Sequence, residues 1–326
     1  MRAMHITAPG HFGFVDVPVP AVQPGYALVR PLIESLCGSD VRAVYYAAPE
    51  EYPMPIGRGG HEVIAVVQEI GDSDAAQTGL APGDNVLALV PDDEGMAEYL
   101  LIGAENLVSL PEGAPLEHLL MAQQLGTVIY AAKRLPNIVG ADVAVIGQGS
   151  AGLFLDAVLR RLGAARVIGL DTVPARCAAA FRFGATHVFD CSQVNAVEAV
   201  AGLTEGGMCD LVAEAAGEID TIELMSKLVS NRGTLLAFGI PRGAYRFEYD
   251  YWSLFRTHGQ LIASSGAMMD PGKQCFRMAL DLIARREIDV APMITHHVPF
   301  DRVAEGYELA RTREDGAIKV IIEMPQ

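Results

Sequence analysis

Three short stretches carry side chains that could do chemistry. "ESLCGSDVR" holds Cys37, Ser39 and Asp40, and "GHE" sets His61 and Glu62 24 residues beyond the cysteine. A cysteine thiolate and an imidazole are good zinc ligands, and a nearby carboxylate can orient the imidazole through its other ring nitrogen. A histidine beside a strand reads by itself as structural. The cysteine and the acid upstream make this one a candidate metal ligand.

The third stretch, "VAVIGQGSAGLF", contains Gly147, Gly149 and Gly152 in the pattern G-x-G-x-x-G. The first glycine permits a tight turn, the second lets backbone approach a pyrophosphate, and the third allows close packing of helix on strand. Free N–H groups at the start of the following helix would then hold the phosphates. The next apolar run ends in Asp171, 19 residues beyond Gly152. A carboxylate there can accept hydrogen bonds from both ribose hydroxyls and would repel a 2′-phosphate, so NAD is favoured over NADP. Arg176 lies close by in the sequence and could serve either dinucleotide or be a solvated helix residue.

Positioning these groups requires two kinds of element. Up to about residue 110, short apolar runs are punctuated by Gly and Pro ("YALVRPLI", "EVIAVVQEIG", "NVLALVP", "AEYLLI"), a strand-rich, barrel-like pattern with polar residues on loops. Cys37, Ser39 and Asp40 fall on such a loop. From about residue 117, "LEHLLMAQQLGTVIYAAKRL" has helical spacing with no internal proline, and "PNIVGAD" ends it. Strand signals follow at 142–147, 166–171, 186–190, 210–217, 234–240 and 260–266. The helical "AGLFLDAVLRRLG" lies between the first two. Six strands with crossovers predict a doubly wound parallel sheet. The tail departs from that alternation, with helices at "QCFRMALDLIARRE" and "RVAEGYELART" and strands at "ITHHVPF" and "AIKVIIEM". It is expected to rejoin the first domain. His296 and His297, adjacent on a strand, point to opposite faces and make a poor metal pair.

The balance of the chain narrows the function classes. Of 326 residues, 51% are hydrophobic and 20% charged, which marks a folded globular protein with room for two domains. A formal net charge of −16 argues against nucleic-acid or anionic-membrane partners and leaves a small molecule as the natural ligand. Five scattered cysteines do not suggest a disulfide framework, and no signal-peptide or membrane-span pattern is visible, so a reducing cytoplasm is expected.

Taken in order, "CGSD" (37–40), "GHE" (60–62), "PGDNV" (82–86), "GQGSAG" (147–152), "ITHHVPF" and "AIKVII" make the chain resemble a known family. It is the zinc-dependent branch of the medium-chain dehydrogenase/reductase superfamily, the alcohol, polyol and sugar dehydrogenases. The resemblance implies an α/β fold with a Rossmann doubly wound sheet over 119–266. It also implies a discontinuous, GroES-like catalytic domain over 1–118 and 267–326. Cys37 and His61 would be ligands of one catalytic zinc, with Glu62 ligating directly or exchanging with water. Gln123 stands where relatives place a third ligand, Cys or Glu. Ser39 would receive the substrate proton, and Asp40 would support His61. Gly147, Gly149, Ser150, Gly152, Asp171 and Arg176 would hold the dinucleotide.

Two departures from the family pattern matter. The four closely spaced cysteines of a structural zinc lobe are missing after "PGD", so no structural zinc is expected. Arg42 stands where many relatives carry a relay histidine, and an arginine cannot act as a general base. The implied activity is interconversion of an alcohol, polyol or sugar with its carbonyl by hydride transfer to NAD. The implied assembly is a homodimer or homotetramer, with "LIASSGAMM" as a candidate pairing segment. Two alternatives stand beside it: a zinc-free quinone- or enone-type reductase using NAD(P)H, and a nucleotide-binding relative without turnover.

Overall fold

Strands β1 (Arg2–Ala8) and β2 (His11–Asp16) open the chain as an antiparallel pair in the computed structural model, which describes residues 1–71, 78–242 and 245–325. Then come β3 (Tyr26–Ser35), β4 (Glu62–Ile70), β5 (Asn85–Leu89), β6 (Leu100–Gly103) and β7 (Leu107–Ser109). The β-branched run of β4 explains its place: Val63, Ile64, Ala65 and Val67 are all buried, so both faces of the strand are covered. The Rossmann run follows with β8 (Asp142–Ile146), β9 (Arg166–Asp171), β10 (His187–Asp190), β11 (Cys209–Glu214), β12 (Val229–Ala237) and β13 (Gln260–Ala263). Last come β14 (Ile294–Pro299) and β15 (Lys319–Glu323).

The chain divides into two compact units, Met1–Gly126 with Met268–Gln326, and Thr127–Ala267. In the first, a seven-stranded sheet runs in the order β14-β15-β3-β4-β5-β7, with β6 added against β3. β15 pairs antiparallel with β3, so the tail is woven into the sheet that carries β4. One of its apolar clusters gathers Met4, Ile6, Leu36, Val44, Phe300 and Tyr307, which ties the opening strand to the closing helix Val303–Thr312. In the second unit, six strands run in the order β10-β9-β8-β11-β12-β13, every neighbouring pair parallel. This is the doubly wound order, and it places the first turn, between β8 and the helix Ser150–Arg161, at the point where the strand order reverses.

Two local expectations need correction. Ser39 and Asp40 are not on a loop but in the first turn of the helix Gly38–Tyr45, with Cys37 as its N-cap. Asp40 accepts the Cys37 backbone N–H at 2.8 Å, and Val41, Ala43 and Val44 are buried along the helix. The single helix expected over 116–135 is two, Leu116–Leu120 and Ala122–Ala132, broken at Met121. All five cysteines are free. No helix among the described residues is long and apolar enough to cross a membrane.

Candidate metal centre and nucleotide turn

Two elements of the first unit converge on one point. Cys37 caps the helix Gly38–Tyr45, His61 precedes β4, and Glu62 is the first residue of that strand. The ligand atoms of Cys37, His61 and Glu62 all lie within 4.8 Å of one another. Behind His61, its Nδ1 is 3.0 Å from Asp40 Oδ1 and 3.4 Å from Asp93 Oδ1. Asp40 is fully buried, so the carboxylate that fixes the ring is itself held rigidly. Burial disfavours a charged ring here. The charge and hydrogen bond of Asp40, with the Cys37 sulfur, outweigh it and hold the His61 imidazole well above its usual pKa. Negative groups that favour a proton at this point also favour a divalent cation, which would take its place.

Glu62 divides its oxygens. Oε2 accepts from the Ser35 hydroxyl and lies 2.6 Å from Lys319 Nζ, with both charged side chains fully buried. Oε1 is buried without a hydrogen-bond partner. Gln124 Oε1 is a second such atom, and the same amide donates Nε2 to Cys37 Sγ at 3.8 Å. A thiol sulfur, an imidazole nitrogen and orphaned buried oxygens form a donor set that suits zinc. The residues present therefore fit the ion that the sequence implied.

An amide beside Cys37 belongs to Gln124, next in the chain to Gln123, the position selected from the sequence. Successive helical residues diverge by about 100°, and Gln124 is buried where Gln123 is half-exposed. Ser39 is half-buried in the first turn of its helix. Arg42 is buried, with Nη2 3.0 Å from Glu51 Oε1. Lys319 and Glu34 were not singled out from the sequence. Glu34 is fully buried on β3, and a Cβ at Gly60 would sit 2.4 Å from its Oε2, which accounts for the glycine of "GHE". Burial first, then the nearby Asp40 charge, push the Glu34 carboxyl well up from its ordinary pKa. Glu34 could have been flagged as an acid in an otherwise apolar strand. Nothing near Lys319 in the sequence points to its partner.

In the second unit, Gly147 adopts φ +89°, and a Cβ there would lie 2.9 Å from the Ala216 backbone nitrogen. A Cβ on Gly152 would sit 1.8 Å from Gly147 O, so the turn and the helix can meet only through glycine. Asp171 ends β9 with Oδ2 accepting Gln148 N–H at 2.6 Å and Oδ1 accepting Val173 N–H at 2.8 Å. Arg176 Nη1 lies 3.6 Å from where a Gly149 Cβ would be, which puts its guanidinium over the middle of the turn. Ser150 opens the helix Ser150–Arg161 there. Fixed donors and a cation thus gather around Gly149, and a carboxylate stands at the strand end.

Two family models match this chain. The model described as alcohol dehydrogenase GroES-like domain covers residues 23–127, and the one described as zinc-binding dehydrogenase covers 151–285. Among characterised relatives, an alcohol dehydrogenase of Cupriavidus necator is 26% identical over 99% of this chain and 98% of its own. Sorbitol dehydrogenase 1 of Saccharomyces cerevisiae is 27% identical over 97% of this chain and 96% of its own. The solved structure of an alcohol dehydrogenase from Thermus sp. ATN1 is similar to this chain with a TM-score of 0.85, at 25% identity over 100% of both chains.

Proposed function

The chain belongs to the zinc-dependent branch of the medium-chain dehydrogenase/reductase superfamily, and from that premise we propose that it is an NAD-dependent dehydrogenase of secondary alcohols or polyols. The observation that carries the reading is the convergence of Cys37, His61 and Glu62, backed by the buried Asp40. A zinc ion held by these residues, with Gln124 in reach of Cys37, supplies Lewis acidity that lowers the pKa of a substrate hydroxyl. Asp40 occupies His61 Nδ1 and so leaves Nε2 as the free nitrogen of the neutral ring. Ser39 is the hydroxyl we assign to proton transfer. With Arg42 paired to Glu51 and always protonated, the proton leaves without a side-chain base at that position.

NAD is assigned on Asp171. Its carboxylate is fixed by two backbone N–H groups at the end of β9, where it would meet ribose hydroxyls and oppose a 2′-phosphate. Glu62 beside the metal donors, with a neutral amide next to Cys37, supports a polyhydroxy substrate, as in the sorbitol dehydrogenase relative. Self-association is assigned to β13, the edge of the parallel sheet, where Leu261 is exposed, together with exposed Trp252 and Phe255 on the helix Tyr251–Arg256. Free thiols throughout favour a reducing cytoplasm.

The test is reduction of NAD followed by absorbance across a panel of secondary alcohols and polyols. Turnover that disappears on chelation and returns with zinc alone supports the reading. Turnover indifferent to chelation, or confined to reduction of enones and quinones, overturns it.

A further inference from the structure

Two neighbouring residues of the nucleotide unit, Asp156 and Gln148, hold between them three buried acceptor atoms without a hydrogen-bond partner. Asp156, on the helix Ser150–Arg161, is fully buried, and neither of its carboxyl oxygens accepts a hydrogen bond. Gln148, the residue between the first two glycines of the motif, is also fully buried. Its Nε2 donates to Val145 O at 3.0 Å, which fixes the orientation of the amide, and its Oε1 has no partner. The Gln148 amide is the polar group beside Asp156.

An ionised carboxylate offers acceptors only, so it would leave Gln148 Oε1 orphaned and bury an unneutralised charge. A protonated carboxyl donates once and accepts once, and a primary amide does the converse. One proton on Asp156 therefore satisfies both side chains. Burial drives the Asp156 carboxyl well above its ordinary pKa, opposed only by the Gln148 amide.

The pair matters because of where Gln148 sits. Its backbone N–H donates to Asp171 Oδ2 at 2.6 Å, so one residue links the turn to the strand end that bears the acid. We propose that Asp156 carries a proton and pairs with the Gln148 side-chain amide, and that this pair is the positioning element that holds the Gly147–Gly149 turn in its dinucleotide-receiving shape. Asp156 acts through Gln148 and touches no cofactor. The inference rests on reading this unit as dinucleotide-binding.

The experiment measures NAD affinity by calorimetry, and kcat at saturating NAD, in zinc-loaded full-length protein. Wild type is compared with Asp156→Asn, Asp156→Leu, Gln148→Leu and the Asp156→Leu/Gln148→Leu double variant. Asn keeps one donor and one acceptor, so it should bind within about twofold of wild type. The leucine variants should each bind about tenfold more weakly, and the double variant no worse than either, as for residues that act as a coupled pair. Their kcat should change little. Infrared spectra should show a protonated-carboxyl band that Asp156→Asn lacks. Tight NAD binding by Asp156→Leu, or absence of that band, would overturn the inference. Failure of wild-type protein to bind either NAD or NADP would instead overturn the dinucleotide reading, and the positioning role with it.

Discussion

Glu62 has one buried cation beside it, Lys319, and stands where the proposed zinc ion would be a second. Its Oε2 lies 2.6 Å from Nζ of Lys319, near the far end of the chain, and its Oε1 is buried without a hydrogen-bond partner. A divalent ion with the Cys37 thiolate and the Glu62 carboxylate sums to no net charge, and the Lys319 ammonium restores one positive charge to the site. Lys319 would thereby let Glu62 stand near the proposed metal without quenching its pull on substrate. Replacing Lys319 by Met strands a buried carboxylate, and breaking such a pair from one side costs about 3–5 kcal/mol. Urea unfolding under chelation should show that loss, and Lys319→Met with Glu62→Gln should recover most of it. A double variant as unstable as Lys319→Met alone would contradict the pairing. A second prediction separates the adjacent glutamines. Gln124→Ala should weaken zinc binding about tenfold, a size usual for groups that support a metal site, while Gln123→Ala should leave it unchanged in competition with a chromogenic chelator. Equal effects would mean that the face of the helix has been misassigned. Cysteine, histidine and acid spacing made Cys37, His61, Asp40 and Glu62 legible in the sequence. Lys319 was not, because its contact depends on β15 pairing with β3 across the length of the chain.

Among the elements, the parallel sheet was the most legible part, since each strand is a short apolar run and the stretch between the first two, "AGLFLDAVLRRLG", has helical spacing. The helix Gly38–Tyr45 was hidden for a physical reason. Gly38 and Ser39 are weak helix formers and cysteine is an unusual N-cap, so the helix rests on the Asp40 cap and on burial of Val41, Ala43 and Val44. The break at Met121 was equally invisible, because nothing in "LLMAQQ" departs from helical spacing. The helix Ser150–Arg161 carries an unusual burden in Asp156, and that gives a pH signature. At acid pH the side chain is protonated in folded and unfolded chains alike and costs nothing. As pH rises past about 4, the ordinary aspartate value, only the unfolded chain ionises, so stability falls until the raised folded pKa is passed. The stability of Asp156→Asn relative to wild type, from denaturant unfolding, should therefore grow from about pH 4 towards neutrality. A difference that does not vary with pH would mean that Asp156 is ionised in the folded protein.

At the scale of the whole molecule, the GroES-like unit carries the cluster of Cys37, His61 and Glu62, and the Rossmann unit carries the glycine turn and Asp171 to which the dinucleotide is assigned in the proposal. The net charge of −16 suits a small, neutral substrate, and the apolar edge at β13 suits a second copy of the chain. Which alcohol is turned over was not legible in the sequence, since substrate choice depends on the three-dimensional course of loops such as 41–55. The claim on which the account depends is that Cys37, His61 and Glu62 hold one zinc ion. The measurement is metal content per chain by mass spectrometry, in protein purified without chelators and again after reloading. The account predicts about one zinc per wild-type chain and almost none in Cys37→Ser or His61→Ala, because both ligands belong to the same site. Wild-type protein that stays empty after reloading, or a Cys37→Ser variant that keeps its zinc, would contradict it.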